Sequence, residues 1–391
     1  MGADFEEVNL FKYVTLVKSG VTDFIEEKKY IATGSLINEK IVDYELITYD
    51  SRPSRANMEF KKDDVIFAKM QDTVKVFLID DDASQNIYST GFAGLRIKDK
   101  TKILPEYLFY YILSDVYQNE KNKNCSGATQ KAINNSNLKK FNILIPSIEI
   151  QKEIVNQLNK IYNYKLLRQK ALELSDLYLR SLFEEMFFNQ NFEEYELKEF
   201  TSLISSGSTP RGGRDNYMAE GEILFIRSQN VLMNKFSNHD SLYIPIDIHN
   251  NMKRTWLKNK DVLLNITGAS IGRTVVYEGL NDKANLNQHV CIIRLKDFND
   301  LNPYYLNYYL SSCYIQNHIK KINAGATREA LNFTQIGKFK ILVPPIELQN
   351  QFAEIVQQVE IIKKYQNQSK EELDNLFNNL MQKAFKGELI C

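Results

Sequence analysis

An internal repeat constrains this chain more than any other feature. Residues 141–187, FNILIPSIEIQKEIVNQLNKIYNYKLLRQKALELSDLYLRSLFEEMF, return 198 positions later as residues 339–385, FKILVPPIELQNQFAEIVQQVEIIKKYQNQSKEELDNLFNNLMQKAF. Phe141 maps to Phe339, Pro146 to Pro344, Glu149 to Glu347, Gln151 to Gln349 and Phe187 to Phe385. Each copy opens with a short apolar run that ends at proline. A helical pattern follows, with no proline or glycine inside it. Its 4-3 stripe is apolar at the ends (Ile154, Leu158, Ile161; Leu179, Leu182, Met186) and polar in the middle (Lys165, Arg168). The second copy does the same, with Phe352, Val356 and Val359, then Lys363, Gln366 and Lys370, then Leu373, Phe377 and Leu380. A helix of roughly 40 residues is about 60 Å long at 1.5 Å per residue. Two such stripes fit an antiparallel coiled-coil pair better than helices inside a small core.

The repeat reaches beyond the helices. Residues 10–20, LFKYVTLVKSG, parallel residues 197–207, LKEFTSLISSG. Asp64-Val65-Ile66 parallels Asp261-Val262-Leu263, Pro105 parallels Pro303, and Gly127-Ala128-Thr129 parallels Gly325-Ala326-Thr327. The offset grows from 187 to 198 across these matches. The insertions fall where the halves diverge, at 21–88 and 208–286. A repeated framework therefore carries two different fillings. Short apolar runs at 65–68, 74–79, 94–97, 262–264, 273–277 and 290–295 read as strands. Residues 104–113 and 302–310 open with proline at a helix start. The fold expectation is mixed α/β in a tandem duplication, with two globular domains alternating with the two long helices. The boundaries fall at 1–145, 146–190, 191–343 and 344–391.

At 391 residues with a formal net charge of zero, each half is long enough for its own core, and the chain is not coated in positive charge. The cysteines, Cys125, Cys291, Cys313 and Cys391, stand far apart and read as reduced thiols. No apolar run reaches membrane-helix length and no signal pattern opens the chain, so the expected compartment is the cytoplasm.

The ordered motifs resemble one family. In the second half they are Gly207-Ser208-Thr209-Pro210, Gly268 with Ile271-Gly272, Asn287-Gln288, Gly325-Ala326-Thr327 and Pro344-Pro345-Ile346-Glu347-Leu348-Gln349. In the first half they are Ser89-Thr90-Gly91-Phe92, Gly127-Ala128-Thr129 and Pro146-Ser147-Ile148-Glu149-Ile150-Gln151. With the duplication, they resemble the specificity subunit of a type I restriction–modification system over nearly the whole chain. The first half departs from the pattern: it lacks the Gly-Xaa-Thr-Pro element at Val21-Thr22-Asp23, and it has Thr90-Gly91 near the place of the Asn-Gln pair.

The resemblance implies two target-recognition domains, each reading half of a split double-stranded DNA site. The long helices would set the spacing and dock two methyltransferase subunits, with restriction subunits joining outside. The subunit itself would be non-catalytic and hold no cofactor, with S-adenosylmethionine on the methyltransferase partner.

The residues themselves agree with a binding role. Asn302-Pro303-Tyr304-Tyr305 is similar to the base-gripping loop of adenine methyltransferases. Its repeat mate, Leu104-Pro105-Glu106-Tyr107, lacks the asparagine, and no glycine fingerprint follows a strand. A helix-start proline accounts for what the two share. Asp80-Asp81-Asp82 has no counterpart in the other half and reads as a solvated turn. His239, His249, His289 and His318 show no metal spacing. Arginine suits guanine edges, asparagine and glutamine suit adenine, and lysine suits phosphates. Beside turns in the diverged parts stand Arg52, Arg55, Lys69 and Gln71 in the first half, and Arg211, Arg214, Arg227, Asn230, Arg254 and Arg273 in the second. The Gly-Ala-Thr loops add Gln130 and Lys131, and Arg328. These thirteen are the candidate DNA contacts. Two other readings stay open at this point: an intact adenine-specific DNA methyltransferase, and a coiled-coil interaction scaffold without a DNA role.

Overall fold

One glutamine in each repeat fastens a long helix to its domain. Gln151 and Gln349 are fully buried. The Gln151 side chain accepts from the Leu104 N–H at 3.0 Å and donates to the carbonyls of Lys102 and Pro146 at 2.9 and 3.0 Å. Gln349 accepts from the Asn302 N–H at 2.8 Å and donates to Pro344 and Asp300. A buried amide is tolerated only when its polar atoms are satisfied, so each glutamine locks the helix start to the loop before the tyrosine-rich helix.

The computed structural model describes residues 5–37, 39–127, 130–210, 212–279, 283–325 and 329–389, apart from the side chain of Arg214. The chain forms two units, Met1–Lys170 with Asn367–Cys391, and Ala171–Gln366. Each is built on an antiparallel four-stranded sheet of the same order. In unit 1 the order is Val14–Leu16, Phe92–Ile97, Val65–Ala68, Val76–Leu78; in unit 2 it is Thr201–Ser206, Val290–Leu295, Val262–Asn265, Thr274–Val276. Helices Pro105–Leu113 and Asp115–Lys123 accompany the first sheet, and Pro303–Ser311 and Cys313–Ile322 the second.

A second sheet is made from the diverged segments. Unit 1 pairs Lys28–Ile31 parallel to Ile87–Ser89, with Glu45–Ile47 and Ala56–Glu59 outside. Unit 2 pairs Leu224–Ile226 parallel to Ala284–Leu286, with Leu242–Tyr243 outside. These strands are too short for a two-residue alternation to show in the sequence.

An ion pair on a buried aspartate braces each four-stranded sheet. Arg96 meets Asp64 with two bonds, at 2.8 and 2.6 Å, and Arg294 meets Asp261 with two, both at 2.7 Å. Each aspartate also accepts a turn N–H, from Lys61 or Lys258. The paired geometry is the one that offsets the desolvation of a carboxylate.

The long helices run Ile148–Phe187 and Ile346–Phe385, 40 residues each. Unit 1 packs Ile154, Leu158 and Ile161 in one core with Phe377, Met381 and Phe385. Unit 2 packs Leu179, Phe183 and Phe187 with Phe352 and Val356. The helix segments are antiparallel within each unit. Tyr162 meets Phe377 while Lys165 reaches Asp374; Phe183 meets Phe352 while Asp176 reaches Lys363. One lysine in each polar midsection is thereby explained. Lys165 bonds Asp374 at 2.8 Å and Lys363 bonds Asp176 at 2.7 Å, the same pair from the two repeats. Among the described residues, no helix is long and apolar enough to cross a membrane, and Cys125, Cys291 and Cys313 are free thiols.

Candidate nucleic-acid interface

The candidate side chains of unit 1 gather at one end of its four-stranded sheet, where Val65–Ala68 ends and Phe92–Ile97 begins. Backbone bonds tie them together. Thr90 N–H donates to Arg55, Lys69 N–H to Gly91, and Gln71 N–H to Lys131, at 2.9, 3.0 and 2.9 Å. Met70 bridges Ala132. Arg55, Gln130 and Lys131 are exposed, and Lys69 and Gln71 are half-buried. Arg52 stacks on the Tyr49 ring at 3.6 Å and donates to the Tyr49 carbonyl. Helix Asp115–Lys123 pins the loop from behind: the buried Lys121 ammonium donates to the Thr73 carbonyl at 2.7 Å, and Asn122 bonds Asp72 twice. Burial lowers the Lys121 ammonium to a pKa of about 8.

Unit 2 places its loops at the equivalent end and holds them differently. Thr209 donates to the Gln288 amide oxygen. The Gln288 amide nitrogen lies 2.9 Å from His289 Nε2, and His289 Nδ1 lies 2.6 Å from the Thr267 hydroxyl. With Gln288 donating to Nε2, the imidazole carries its proton on Nδ1 and donates to Thr267. Gly268 N–H donates to Glu329, and Thr267 bridges Ala330. The turn beneath is repeated: Asn287 accepts from His289 N–H at 3.0 Å, and Ser89 accepts from Gly91 N–H at 3.1 Å. Gly207 has a steric reason, since a Cβ there would lie 1.6 Å from the Leu286 carbonyl oxygen.

Of the other unit 2 candidates among the described residues, Arg273 stays at this end, in the hairpin after Val262–Asn265, and the rest scatter. Arg273 is half-buried beside Gly272. Arg227 donates to the Asp240 carbonyl. Asn230 is buried, its amide donating to Ser237 and His239 and accepting from Arg227 N–H. That amide organises the turn from within. Arg254 is exposed on the turn Lys253–Thr255. Arg211, Arg328 and the Arg214 side chain lie outside the described residues. Gln288, Thr209 and Asn122 were not among the candidates. The Asn-Gln motif pointed to Gln288, but nothing in the sequence places it against Thr209.

Catalytic alternatives find no support in the geometry. Asn302 caps its helix, accepting from the Tyr304 and Tyr305 N–H groups, and the Tyr305 hydroxyl donates to the Leu342 carbonyl. Tyr107 makes the same bond to Leu144. Asp80 accepts from Ala83 N–H and Asp81 pairs with Lys62, as a solvated turn does. His249 stacks on Trp256. Among the described residues, no histidine, cysteine and carboxylate cluster could hold a metal ion.

Comparison with known proteins matches a family model, the type I restriction modification DNA specificity domain, twice, over residues 10–175 and 189–375. The type I restriction enzyme StySPI specificity subunit of Salmonella potsdam is 22% identical over 97% of this chain and 87% of that protein. The MjaVIII specificity subunit of Methanocaldococcus jannaschii is 21% identical over 75% and 73%. Among solved structures, a chain from a study of type I R-M complex assembly and conformational transition aligns over 98% of both chains, with a TM-score of 0.60 and 23% identity. The type I S subunit from M. genitalium aligns over 98% of this chain and 96% of that one, with a TM-score of 0.58 and 15% identity.

Proposed function

The chain belongs to the type I restriction–modification DNA specificity family, and from that premise we propose that each of its two units reads one half of a split double-stranded DNA target. Its role is that of a non-catalytic specificity subunit. The observation that carries the two-half reading is one repeated framework with unrepeated loops at the same end of each sheet. Unit 1 offers Arg55, Lys69, Gln71, Gln130 and Lys131 there, and unit 2 offers Thr209, Gln288 and Arg273. Arginine and glutamine are side chains that read base edges in the major groove, and lysine suits phosphates.

The helices support a second element, two methyltransferase partners. Unit 1 leaves Tyr164, Leu167 and Leu376 exposed, and unit 2 leaves Leu174, Leu177, Tyr178, Ile361, Ile362 and Tyr365 exposed. Most of these are repeat mates (Tyr164 with Ile362, Leu167 with Tyr365, Tyr178 with Leu376). Two similar apolar helix faces suit two copies of one partner. Restriction subunits then join outside, and S-adenosylmethionine is carried by the methyltransferase. Residues 1–145 and 191–343 act as recognition domains, with 146–190 and 344–391 as the long helices.

The test is a domain exchange. Replacing residues 21–134 with those of a relative of different specificity changes one half of the methylated motif and leaves the other, as read by methylome sequencing. A swap that altered both halves would refute independent reading.

A further inference from the structure

An open groove of about 730 Å³ runs beside strand Val14–Leu16, an edge strand of the unit 1 sheet. Its floor is apolar, with Val14, Val17 and Phe92. Its rim carries Lys18, Lys69, Lys98 and Lys139, with no aspartate or glutamate. Lys98 is engaged by the carbonyls of Phe11 and Lys12, at 2.6 and 3.4 Å. Lys18, Lys69 and Lys139 form no ion pair among the described residues. Lys69 is half-buried, and desolvation lowers its pKa from the ordinary lysine value. A half-buried cation without a counter-ion costs free energy that an arriving anion restores.

The repeat shows that the fold does not need these lysines. Their repeat mates are Ser205, Ile266 and Gly337. In unit 2 a Cβ on Gly337 would lie 3.3 Å from Lys198 Cβ and 3.6 Å from Ile204 Cδ1, so helix and strand are closely packed where unit 1 is open. The basic groove is a property of unit 1, not of the framework. It also opens onto the reading loops, because Lys69 is bonded through its backbone to Gly91 and Ile133.

We propose that this groove seats the phosphodiester backbone of the DNA duplex beside the half-site read by unit 1, with Lys18, Lys69 and Lys139 on phosphates. The assignment rests on the DNA reading above and adds to it: phosphate affinity is concentrated on one unit. An acidic protein surface is the competing occupant. Continuity with the reading loops favours DNA.

The experiment uses the chain in complex with its methylating partner, titrated with duplex carrying its methylated motif between 50 and 200 mM salt. Each lost phosphate contact lowers the slope of log affinity against log salt by about 0.9. The triple variant Lys18→Gln, Lys69→Gln, Lys139→Gln therefore has a slope shallower by about 2.7, and its affinity loss over that salt range is about 40-fold smaller. Its methylated motif is unchanged. The triple Lys→Arg variant keeps the parental slope. Single Lys18→Gln and Lys139→Gln changes, at exposed positions, each lower the slope by about 0.9 even if the triple variant folds poorly. An unchanged slope with the parental motif overturns the groove and leaves the two-half reading standing. A parent complex that binds all duplexes alike sinks that reading itself. A variant that keeps its DNA slope but loses its partner on size-exclusion chromatography also overturns the proposal and assigns the groove to protein.

Discussion

At one position in the repeat, unit 1 buries the ammonium of Lys121 and unit 2 buries the side chain of Ile319. Around them the framework is the same: sheet order, aspartate–arginine brace, glutamine clamp and tyrosine-to-carbonyl bond all recur. What differs is how the reading loops are held. Unit 1 fastens its loop to the helix behind it, through Lys121 and Asn122. Unit 2 keeps one bond from its helix, Gln316 to the Gly272 carbonyl at 2.9 Å, and adds bonds from loop to loop through Thr209, Gln288, His289 and Thr267. A loop that is held by its own polar partners is free to change without disturbing the scaffold. That separation is what a specificity protein needs, because recognition has to vary while assembly does not.

The largest test strikes the shared brace. Asp261→Ala leaves the Arg294 guanidinium, 19% exposed, without its carboxylate; Asp64→Ala leaves Arg96, which is 38% exposed. Removing one partner of a buried pair costs about 3–5 kcal/mol. The loss is expected in full for Asp261 and is smaller for Asp64, where water reaches the arginine. Urea unfolding measures both, with Trp256, the single tryptophan, reporting on unit 2. Equal losses would break the view that the exposure of the arginine sets the cost.

Gln288→Ala comes next. It removes a candidate base reader and cuts the chain of bonds between loops, so affinity for the unit 2 half-site falls by about 1–3 kcal/mol. Thr90→Ala, its repeat mate, changes the unit 1 half-site much less, because unit 1 does not route its loop through that side chain. Binding to duplexes altered in one half-site at a time separates the two.

The Lys121 contrast predicts a pH dependence in one unit. Its folded-state pKa of about 8 lies below the ordinary 10.5. Between those values the unfolded chain holds a proton that the folded chain has released. Stability therefore rises with pH over that interval, by at most about 1.4 kcal/mol per pH unit. Lys121→Ile, the residue of unit 2, removes the rise. Urea midpoints of parent and variant from pH 7.5 to 10.5 check it, and parallel curves would refute it.

The smallest effect is in the helix seam. Lys363 is 13% exposed and bonds both Asp176 and Glu360, while Lys165 is 25% exposed and bonds Asp374. Lys363→Gln costs about 1 kcal/mol and Lys165→Gln about half of that, both reduced at high salt.

The duplication, the two 40-residue helices and the framework strands were legible in the sequence because they repeat, and a repeat turns weak local patterns into a strong one. The strands at 28–31, 56–59, 224–226 and 284–286 were not. They lie in the diverged segments, are three or four residues long, and owe their existence to partners distant in sequence. Arg96 and Arg294 were not legible either, since an ion pair between distant strands leaves no local signature. The convergence of Arg55, Lys69, Gln71 and Lys131 was legible as composition, but their common edge was not. Asn230 shows the limit of residue type: an asparagine beside a turn reads equally as a base contact and as the turn's own anchor.

The shared cores set the order in which the chain can finish folding. Unit 1 closes on Phe377, Met381 and Phe385, although most of it is made first. The ribosome adds 224 residues between Ile161 and Phe385 (385 − 161). At about 5–20 residues per second that interval is roughly 11–45 s. Through it, Tyr107, Tyr111 and Leu158 wait without their cover, an apolar surface for chaperones to shield. Unit 2 needs nothing beyond Gln366 and completes its core on Phe352 and Val356. The domain begun second is the one whose parts are all in hand first.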